Sequence, residues 1–372
     1  MMVLKMHKSP NKIRLSRASV LFFIALVVYK ILLSVIYINF MSVVVAYYGF
    51  EYQPNLLRSV LSWSVYLPLV LCVKSDFRKP SGFFLFVFLI LIITPMLILM
   101  ELGGKSAVFL SYSLVCFLVI SVIVRLFKLN VPRIRSGNKL ALALALITTG
   151  SVFGMFFVTS GFASINFDLA LVYALREDTE NIYFGGLWGY LTPWSTKVFL
   201  PFLFSIALFK KKYIIVAVLI FIQVLAFGIT GHRSMAILPI FAVGIFLARN
   251  KSNKNLYILV LFMSLLLLIY LLHFYFQDVL ISSTIFRRAI FLPSYLNYAY
   301  YQFFVENDYV YYTNSVLSQV ADYPYGGQSL SNLVITGANT GFLGTSYAHG
   351  GPLGMLIISS LVGIVLNLLD GT

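Results

Sequence analysis

The side chains best suited to chemistry lie in one polar and aromatic segment, Gln277–Gly350, of a chain that is otherwise largely apolar. Near its beginning two arginines, Arg287 and Arg288, stand side by side in RRAIFLPSYLNYAYYQFF. A guanidinium group keeps its charge and binds phosphate through two parallel hydrogen bonds. Both arginines are therefore candidate catalytic residues that stabilise negative charge on a leaving group.

Tyrosines are dense after the arginine pair and suit the binding of sugars. A stripe at helical spacing joins Arg287, Ser294, Tyr298 and Tyr301. It predicts an amphipathic helix that Pro293 begins or kinks. Sugars pack their C–H faces on aromatic rings and bond to hydroxyl tips, so we predict that Tyr298 and Tyr301 bind substrate. An interfacial aromatic belt stays open as the alternative.

The end of the segment, TGANTGFLGTSYAHGGPLGML, combines six glycines with one histidine. Glycines permit tight turns and close approach of the backbone to a ligand, and we predict that Asn339 in this motif binds substrate. His349 is a candidate catalytic base, or else a polar residue at the start of a helix. Glu306 and Asp308 are the other candidate bases.

Three basic residues elsewhere have both a functional and a plain interpretation. Arg176 precedes an acidic cluster, so it either binds an anionic substrate or forms an exposed surface pair of little energetic value. Arg233, in GHRS between two apolar runs, either binds a substrate phosphate or extends to lipid phosphates. Lys30 lies inside an apolar run near enough to its end to reach water, and we expect it to do so.

Helices that cross a membrane have to position these residues. The chain has 372 residues, of which 60% are hydrophobic and 10% charged, whereas soluble domains carry about 25% charged residues. Its long apolar runs are typical of an all-α polytopic integral membrane protein. We treat residues 1–372 as a single membrane domain with about ten spans. They lie at 18–38, 56–73, 82–100, 107–124, 140–160, 195–209, 213–230, 235–248, 256–276 and 351–369.

Basic residues are distributed unevenly between the loops. Nineteen of the 27 fall on the side of the N-terminus, and ten of the twelve acids fall on the other side. The positive-inside rule makes the basic side cytoplasmic and puts two large loops outside, 161–194 and 277–350. The net charge of +15 is therefore a topology signal, and nucleic-acid binding has no support. Cys72 and Cys116 lie in apolar runs, and we predict that both are small packing residues inside the helix bundle.

Three motifs resemble those of the O-antigen polymerase family (the Wzy-type polymerases) of bacterial envelopes. They are RRAIFLPSYLNYAYYQFF at Arg287–Phe304, ANTGFLGTSYAHGGPLG at Ala338–Gly354 and GHRSM at Gly231–Met235. The plan of about ten spans with two large periplasmic loops is also similar. The resemblance implies a glycosyltransferase of the inner membrane that polymerises oligosaccharide repeat units carried on undecaprenyl pyrophosphate. Related sequences often carry an amide or a small polar group where this chain has His349.

The resemblance also implies that neither a cofactor nor a metal is needed, and the metal-binding signature DxD is absent from the sequence. The implied partners are the lipid-linked oligosaccharide, the lipid bilayer and a chain-length regulator. Two other functions stay open: an O-antigen ligase of similar architecture, and a flippase for lipid-linked oligosaccharides. A flippase should carry charges along a path inside its spans, whereas only Lys30 is clearly within one.

The charge distribution makes a direct prediction about topology. If both termini are cytoplasmic, reporter fusions made after Lys210 and after Tyr312 should report opposite sides of the membrane. An alkaline phosphatase reporter is expected to be active only in the Tyr312 fusion, because that enzyme folds outside the cytoplasm. Two fusions that report the same side would contradict the ten-span arrangement.

Overall fold

The computed structural model describes residues 17–74, 77, 79–127, 135–159, 165–167, 186–231, 233–251, 253–314, 317, 322–326, 328–335 and 340–371, without the side chains of 233–238, 240 and 241. Contacts divide the chain into two compact units, which are described separately. Unit 1 comprises Met1–Val131 with Ser252–Thr372, and unit 2 comprises Pro132–Lys251. The single membrane domain stays a prediction.

The described residues form helices and no strand, which confirms the all-α prediction. In chain order the helices are α1 Arg17–Val44, α2 Leu56–Cys72, α3 Pro80–Leu102, α4 Ala107–Leu126, α5 Gly137–Val158, α6 Trp188–Phe209, α7 Tyr213–Thr230, α8 Arg233–Ala248, α9 Lys254–Phe276, α10 (residues 279–306), α11 Leu330–Val334 and α12 Phe342–Gly371. Helix α10 runs from Val279–Ser282 through the π-helical Ser283–Phe291 into Leu292–Glu306.

Within the described part of the chain, eight helices are long and apolar enough to cross a membrane: α1, α3, α4, α5, α6, α7, α9 and α12. Helices α2 and α8 coincide with the second and eighth predicted spans but have 17 and 16 residues. At 1.5 Å per residue each is about 25 Å long, which is less than about 30 Å of hydrocarbon. The number ten and the sides of the loops stay predictions.

The two predicted loops are more helical than the sequence indicated. Helix α6 begins at Trp188, inside the predicted loop 161–194, and residues 160–164 and 168–185 lie outside the described residues. The predicted loop 277–350 contains α10, α11 and the first part of α12. Much of the polar and aromatic segment is thus folded against the helices of unit 1.

Helix α3 is the central helix of unit 1, since every residue from Thr94 to Leu102 is buried. Its π-helical stretch Leu89–Ile93 is followed by Pro95, which has no N–H to donate. Side chains bond to carbonyls of this stretch: Thr94 Oγ1 to Leu89, Tyr29 Oη to Ile90 at 2.9 Å, and Ser294 Oγ to Ile92 at 3.0 Å. Such donors satisfy backbone groups where water is absent.

Lys30 is fully buried where α1, α2 and α3 meet. Its Nζ lies 2.9 Å from Glu101 Oε2 and donates a hydrogen bond to Ser62 Oγ at 2.8 Å. The Trp63 ring covers the ammonium group, with its centroid 3.8 Å from Nζ. The expectation that Lys30 extends to water is therefore wrong, because a carboxylate on a distant part of the chain neutralises it in place.

Helix α10 is anchored to α3 by side chains that bond to the α3 backbone. Besides Ser294, Tyr298 Oη donates to the Met96 carbonyl at 3.0 Å. The side chains of Phe286, Ile290 and Phe291 are buried in the same core. Pro293 stands in the first turn of the α-helical part, directly after the π-helical stretch. The predicted helix exists, but it is packed into the bundle rather than lying on a surface.

Helix α12 packs along α4 and ends against the start of α3. A Cβ added at Gly363 would lie 3.0 Å from Ile123 Cβ, so glycine lets these two helices approach closely. Asn367 Nδ2 donates to the Phe127 carbonyl at 2.6 Å, just after α4. Asp370 accepts hydrogen bonds from Ser81 N at 3.1 Å and Ser81 Oγ at 2.6 Å. This places a carboxylate at the N-terminus of α3, where the helix dipole favours it.

Unit 2 is built from α5 to α8. In α6 the stretch Ser195–Phe199 is π-helical, and Gln223 Nε2 of α7 donates to the Thr196 carbonyl there at 2.9 Å. The Phe167 ring packs against Gly228, where an added Cβ would lie 2.7 Å from the ring. Asn166 N donates to the Gly228 carbonyl at 3.0 Å, which fixes the chain before the residues that are not described.

Removing one partner of the Lys30–Glu101 pair should destabilise unit 1 strongly. In Lys30→Met, Glu101 would keep a buried charge without its counterion, which costs about 3–5 kcal/mol. The double variant Lys30→Met/Glu101→Met should recover most of this loss, because replacing a buried pair by apolar residues is often neutral.

Thermal unfolding of the purified protein in one detergent measures the effect, with the exposed Lys139→Met as the matched control. The pair would lose its structural role if Lys30→Met unfolded at the same temperature as Lys139→Met.

Candidate functional site

Four basic residues lie around the loop between α1 and α2, residues 45–55, which we call the Gly49 loop. Arg287 and Arg288 come from α10, Arg58 from the first turn of α2, and Lys105 from the link between α3 and α4. We call these four residues the basic cluster. The sequence singled out only the arginine pair, because Arg58 and Lys105 are isolated charges with no motif around them.

Arg287 is held in a fixed position with 9% of its surface exposed. Its Nε donates to Ser283 Oγ at 3.0 Å, one helical turn earlier, and its guanidinium carbon lies 4.1 Å from the centroid of the Tyr48 ring. The hydrogen bond and charge of Arg287 lower the pKa of the Tyr48 hydroxyl, with a smaller effect from the charge of Arg288. No carboxylate within the described ranges forms an ion pair with Arg287.

Lys105 lies on the other side of the Gly49 loop. Its Nζ is 4.8 Å from the centroid of the Tyr295 ring, which packs on Phe50 at 4.8 Å between centroids. Gly49 has a φ of 86°, and an added Cβ would lie 3.1 Å from Tyr295 Cζ, so both the backbone and the space require glycine. Burial lowers the pKa of Lys105, and the negative charge of Glu51 partly offsets this effect.

Hydrogen bonds tie the Gly49 loop to the ends of α1 and α3. Tyr37 Oη donates to the Glu51 carbonyl at 2.7 Å, and Gln53 N donates to the Leu102 carbonyl at 2.7 Å. The Glu51 carboxylate is exposed and accepts from Gln53 Nε2 at 2.6 Å. The loop therefore presents tyrosine, one carboxylate and neighbouring cations at a single end of an apolar helix bundle. Such a set can bind an anionic group at the boundary between lipid and water.

Asn297 joins α10 to the glycine-rich motif, a role that no local sequence pattern indicates. Its Oδ1 accepts hydrogen bonds from Thr340 Oγ1 at 3.0 Å and from Gly344 N at 2.7 Å. Its Nδ2 donates to the Pro293 carbonyl at 2.8 Å. A Cβ at Gly344 would lie 2.9 Å from Asn297 Oδ1, so this glycine is needed for close approach. Two of the three motifs that carry the resemblance thus lie against each other.

His349 fixes a loop instead of facing an open site. It is 6% exposed, and its ring stacks on Tyr312 with centroids 4.0 Å apart and planes 9° apart. Tyr312 N donates to His349 Nδ1 at 3.1 Å. Nδ1 therefore accepts this hydrogen bond and carries no proton. This contact gives His349 a structural role in the loop, and its role as a catalytic base stays a prediction.

The break after His349 explains why two glycines follow it. Gly350 and Gly351 leave helical geometry inside α12, and Gly351 has a φ of 58°. A Cβ there would lie 2.7 Å from Tyr309 Oη. Val310 N donates to the Ala348 carbonyl at 2.8 Å, so the loop after α10 closes the first part of α12.

The two predicted sugar-binding tyrosines differ in position. Tyr298 is 3% exposed, and burial raises its pKa well above the ordinary value. Its hydroxyl donates to the Met96 carbonyl, so Tyr298 packs in the core, and its role in substrate binding stays a prediction. Tyr301 is half-buried, with its ring centroid 5.0 Å from Phe109 and 5.3 Å from Tyr347. Its role in substrate binding stays a prediction.

The other predicted site residues either have no described side chain or are exposed. Arg176 and Asn339 lie outside the described residues. Arg233 begins α8 in unit 2, and its side chain is not described. Glu306 and Asp308 are exposed near the end of α10 and stay candidate bases. No group of three or more possible metal ligands occurs in the described part of the chain, and independence from metal stays a prediction.

If His349 has a structural role, its replacement by asparagine and its replacement by alanine should have different effects on the loop. In His349→Asn the amide oxygen can replace Nδ1 as acceptor for Tyr312 N, whereas His349→Ala leaves that N–H without a partner, at a cost of about 1–3 kcal/mol. We expect faster hydrogen exchange of residues 309–313 in His349→Ala than in His349→Asn. Equal exchange rates in wild type and both variants would contradict the structural role.

Comparisons with models of protein families, with curated proteins and with solved structures found no match to this chain.

Proposed function

We propose that this chain is a membrane glycosyltransferase that polymerises oligosaccharide repeat units carried on undecaprenyl pyrophosphate. The observation that supports it most is the basic cluster, with Arg287 held in place and without a carboxylate partner in the described ranges. Enzymes that cleave a lipid-pyrophosphate bond need cations at the membrane surface, where the pyrophosphate of a lipid carrier lies. The motifs that resemble O-antigen polymerases include both Arg287 and Arg288.

The proposed reaction exchanges one C–O bond for another. A hydroxyl oxygen of the acceptor attacks the anomeric carbon of the donor, and the bond from that carbon to the pyrophosphate oxygen breaks. The leaving pyrophosphate takes the electron pair, and the acceptor hydroxyl gives its proton to a base. Arg287, with Arg288 beside it, stabilises the charge that develops on the pyrophosphate, and this lowers the barrier.

In this proposal the general base is the carboxylate of an acidic residue rather than His349. Glu51 is part of the Gly49 loop, is exposed and is next to Lys105, while Glu306 and Asp308 are the acids at the end of α10. A carboxylate can accept the hydroxyl proton as the C–O bond forms. Among these three, Glu51 shares its loop with Tyr48, the residue on which Arg287 stacks.

A ligase remains the alternative enzyme, and the flippase gains no support from the described charges. Lys30 is fully buried and paired with Glu101, so it does not line a path through the unit. A gel of lipopolysaccharide from a strain that lacks the gene distinguishes the functions. A single repeat unit on the core is expected for a polymerase, whereas complete absence of O-antigen would indicate a ligase or a flippase.

Arg287→Lys should reduce polymerisation about tenfold to a hundredfold. Lysine keeps the charge but loses the planar fork and the stacking on Tyr48, and a hydrogen bond to a charged group contributes about 1.5–3 kcal/mol. The measurement is the O-antigen ladder of a deletion strain that is complemented with Arg287→Lys, Arg287→Ala, Arg288→Lys or Arg288→Ala at equal protein levels.

Arg249→Lys is the matched control, because Arg249 also stacks on an aromatic ring, with its guanidinium carbon 3.4 Å from the Phe246 centroid. It lies after α8 and should give a wild-type ladder. Wild-type ladders from both alanine variants of α10 would remove Arg287 and Arg288 from the active site. A loss in Arg249→Lys equal to that in Arg287→Lys would indicate a general loss of folding.

A further inference from the structure

A cavity of about 1040 Å³ opens in unit 1 at the end opposite to the Gly49 loop. Helix α1 defines the two ends, because it begins at Arg17 beside the cavity and its last residue, Val44, leads into the Gly49 loop. The 28 residues of α1 span about 42 Å, so the two sites lie far apart. The cavity is large even among pockets that hold small molecules, which measure about 300–1,000 Å³.

Basic side chains line the cavity on several elements. Lys74 follows α2, Lys79 precedes α3, and Arg125 lies in the last turn of α4. Arg125 is fixed by a hydrogen bond from Nη2 to the Cys72 carbonyl at the end of α2. Lys79 Nζ lies 3.8 Å from Asp370 Oδ2, a loose ion pair with an exposed lysine.

Asp370 is the single carboxylate among the described residues that line the cavity. It is already neutralised in part, because it accepts two hydrogen bonds from Ser81 and lies at the N-terminus of α3. Three cations against this one carboxylate leave an excess of positive charge. A ligand that complements the cavity therefore carries negative charge at this polar end.

The rest of the wall is apolar, which excludes a small soluble anion as the best occupant. The wall is formed by Val20, Phe23, Val70, Leu71, Leu85 and Val124, from four different helices. Burial of this apolar surface under a hydrocarbon chain is favourable, whereas contact of the same surface with water is not. The polar end and the apolar wall of the cavity are together complementary to an amphiphile with an anionic head group.

We propose that this cavity binds an anionic glycerophospholipid of the bilayer, with its phosphate at Lys74, Lys79 and Arg125 and an acyl chain along the apolar wall. Basic pockets between membrane helices are suited to anionic lipid headgroups. The bound lipid would fill the space between the ends of α1, α2, α3 and α4 and hold these ends together. This site is independent of the proposed polymerase activity, since it requires neither the Gly49 loop nor the basic cluster.

Lipid binding by the purified full chain tests the site, with native mass spectrometry as the readout. The probes are phosphatidylglycerol and phosphatidylcholine with the same acyl chains, an isoprenyl monophosphate, and inorganic phosphate. We expect phosphatidylglycerol to bind at least tenfold more tightly than phosphatidylcholine, and excess inorganic phosphate to leave it bound.

Two variants test the place of binding. Lys74→Ala/Lys79→Ala/Arg125→Ala should weaken phosphatidylglycerol binding at least tenfold, and Val20→Trp should do the same by filling the apolar wall. The matched control is Lys210→Ala/Lys211→Ala/Lys212→Ala, which removes the same charge from the link between α6 and α7 in unit 2. It should bind phosphatidylglycerol like the wild type.

Several results would overturn the proposal. Equal weakening by both triple variants would mean general electrostatic attraction, and equal binding of the two phospholipids would mean no recognition of the head. Displacement by inorganic phosphate would assign the cavity to a soluble anion, and preference for the isoprenyl phosphate would assign it to a lipid carrier. If phosphatidylglycerol bound only to a variant that lacks residues 2–16, the cavity would be the binding site of the chain's own N-terminal segment.

Discussion

The ion pair between Lys30 and Glu101 is the constraint on which the rest of unit 1 depends. A charged ammonium group in the interior of a membrane protein is tolerated only with a partner, and here one carboxylate, Ser62 and the face of Trp63 surround it. The pair fixes the relative positions of α1, α2 and α3. The Gly49 loop joins α1 to α2 and is bonded to the end of α3, so its position follows from the same pair.

The basic cluster is positioned by a second constraint, the bonding of α10 to the backbone of α3. Ser294 and Tyr298 donate hydrogen bonds to α3 carbonyls within and just after the π-helical stretch. This position of α10 places Arg287 against Tyr48 and Tyr295 against Lys105. Local deviations from regular helix thus determine where α10 docks. Asn297 then connects α10 to Gly344, which brings the two long motifs together.

The sequence was sufficient for elements whose signal is local, such as the apolar helices, the arginine pair and the helix around Pro293. It was misleading where a partner lies far away along the chain. The local sequence around Lys30 predicts a residue that reaches water, whereas the structure places Glu101 beside it. For His349 the local sequence gives no sign that Tyr312 N donates to Nδ1. For Tyr298, periodicity predicts the face of the helix but not which residues cover that face. Lys105 and Arg58 had no local signal at all.

The proposed activity is the formation of glycosidic bonds from a donor linked to a lipid pyrophosphate. The most direct measurement supplies the purified protein in lipid nanodiscs with an undecaprenyl-pyrophosphate-linked repeat unit and no nucleotide sugar. The account predicts a ladder of longer glycans and the release of one undecaprenyl pyrophosphate for each linkage formed. Repeat units that remain unchanged, with a folded protein whose Arg287→Ala variant behaves identically, would contradict it.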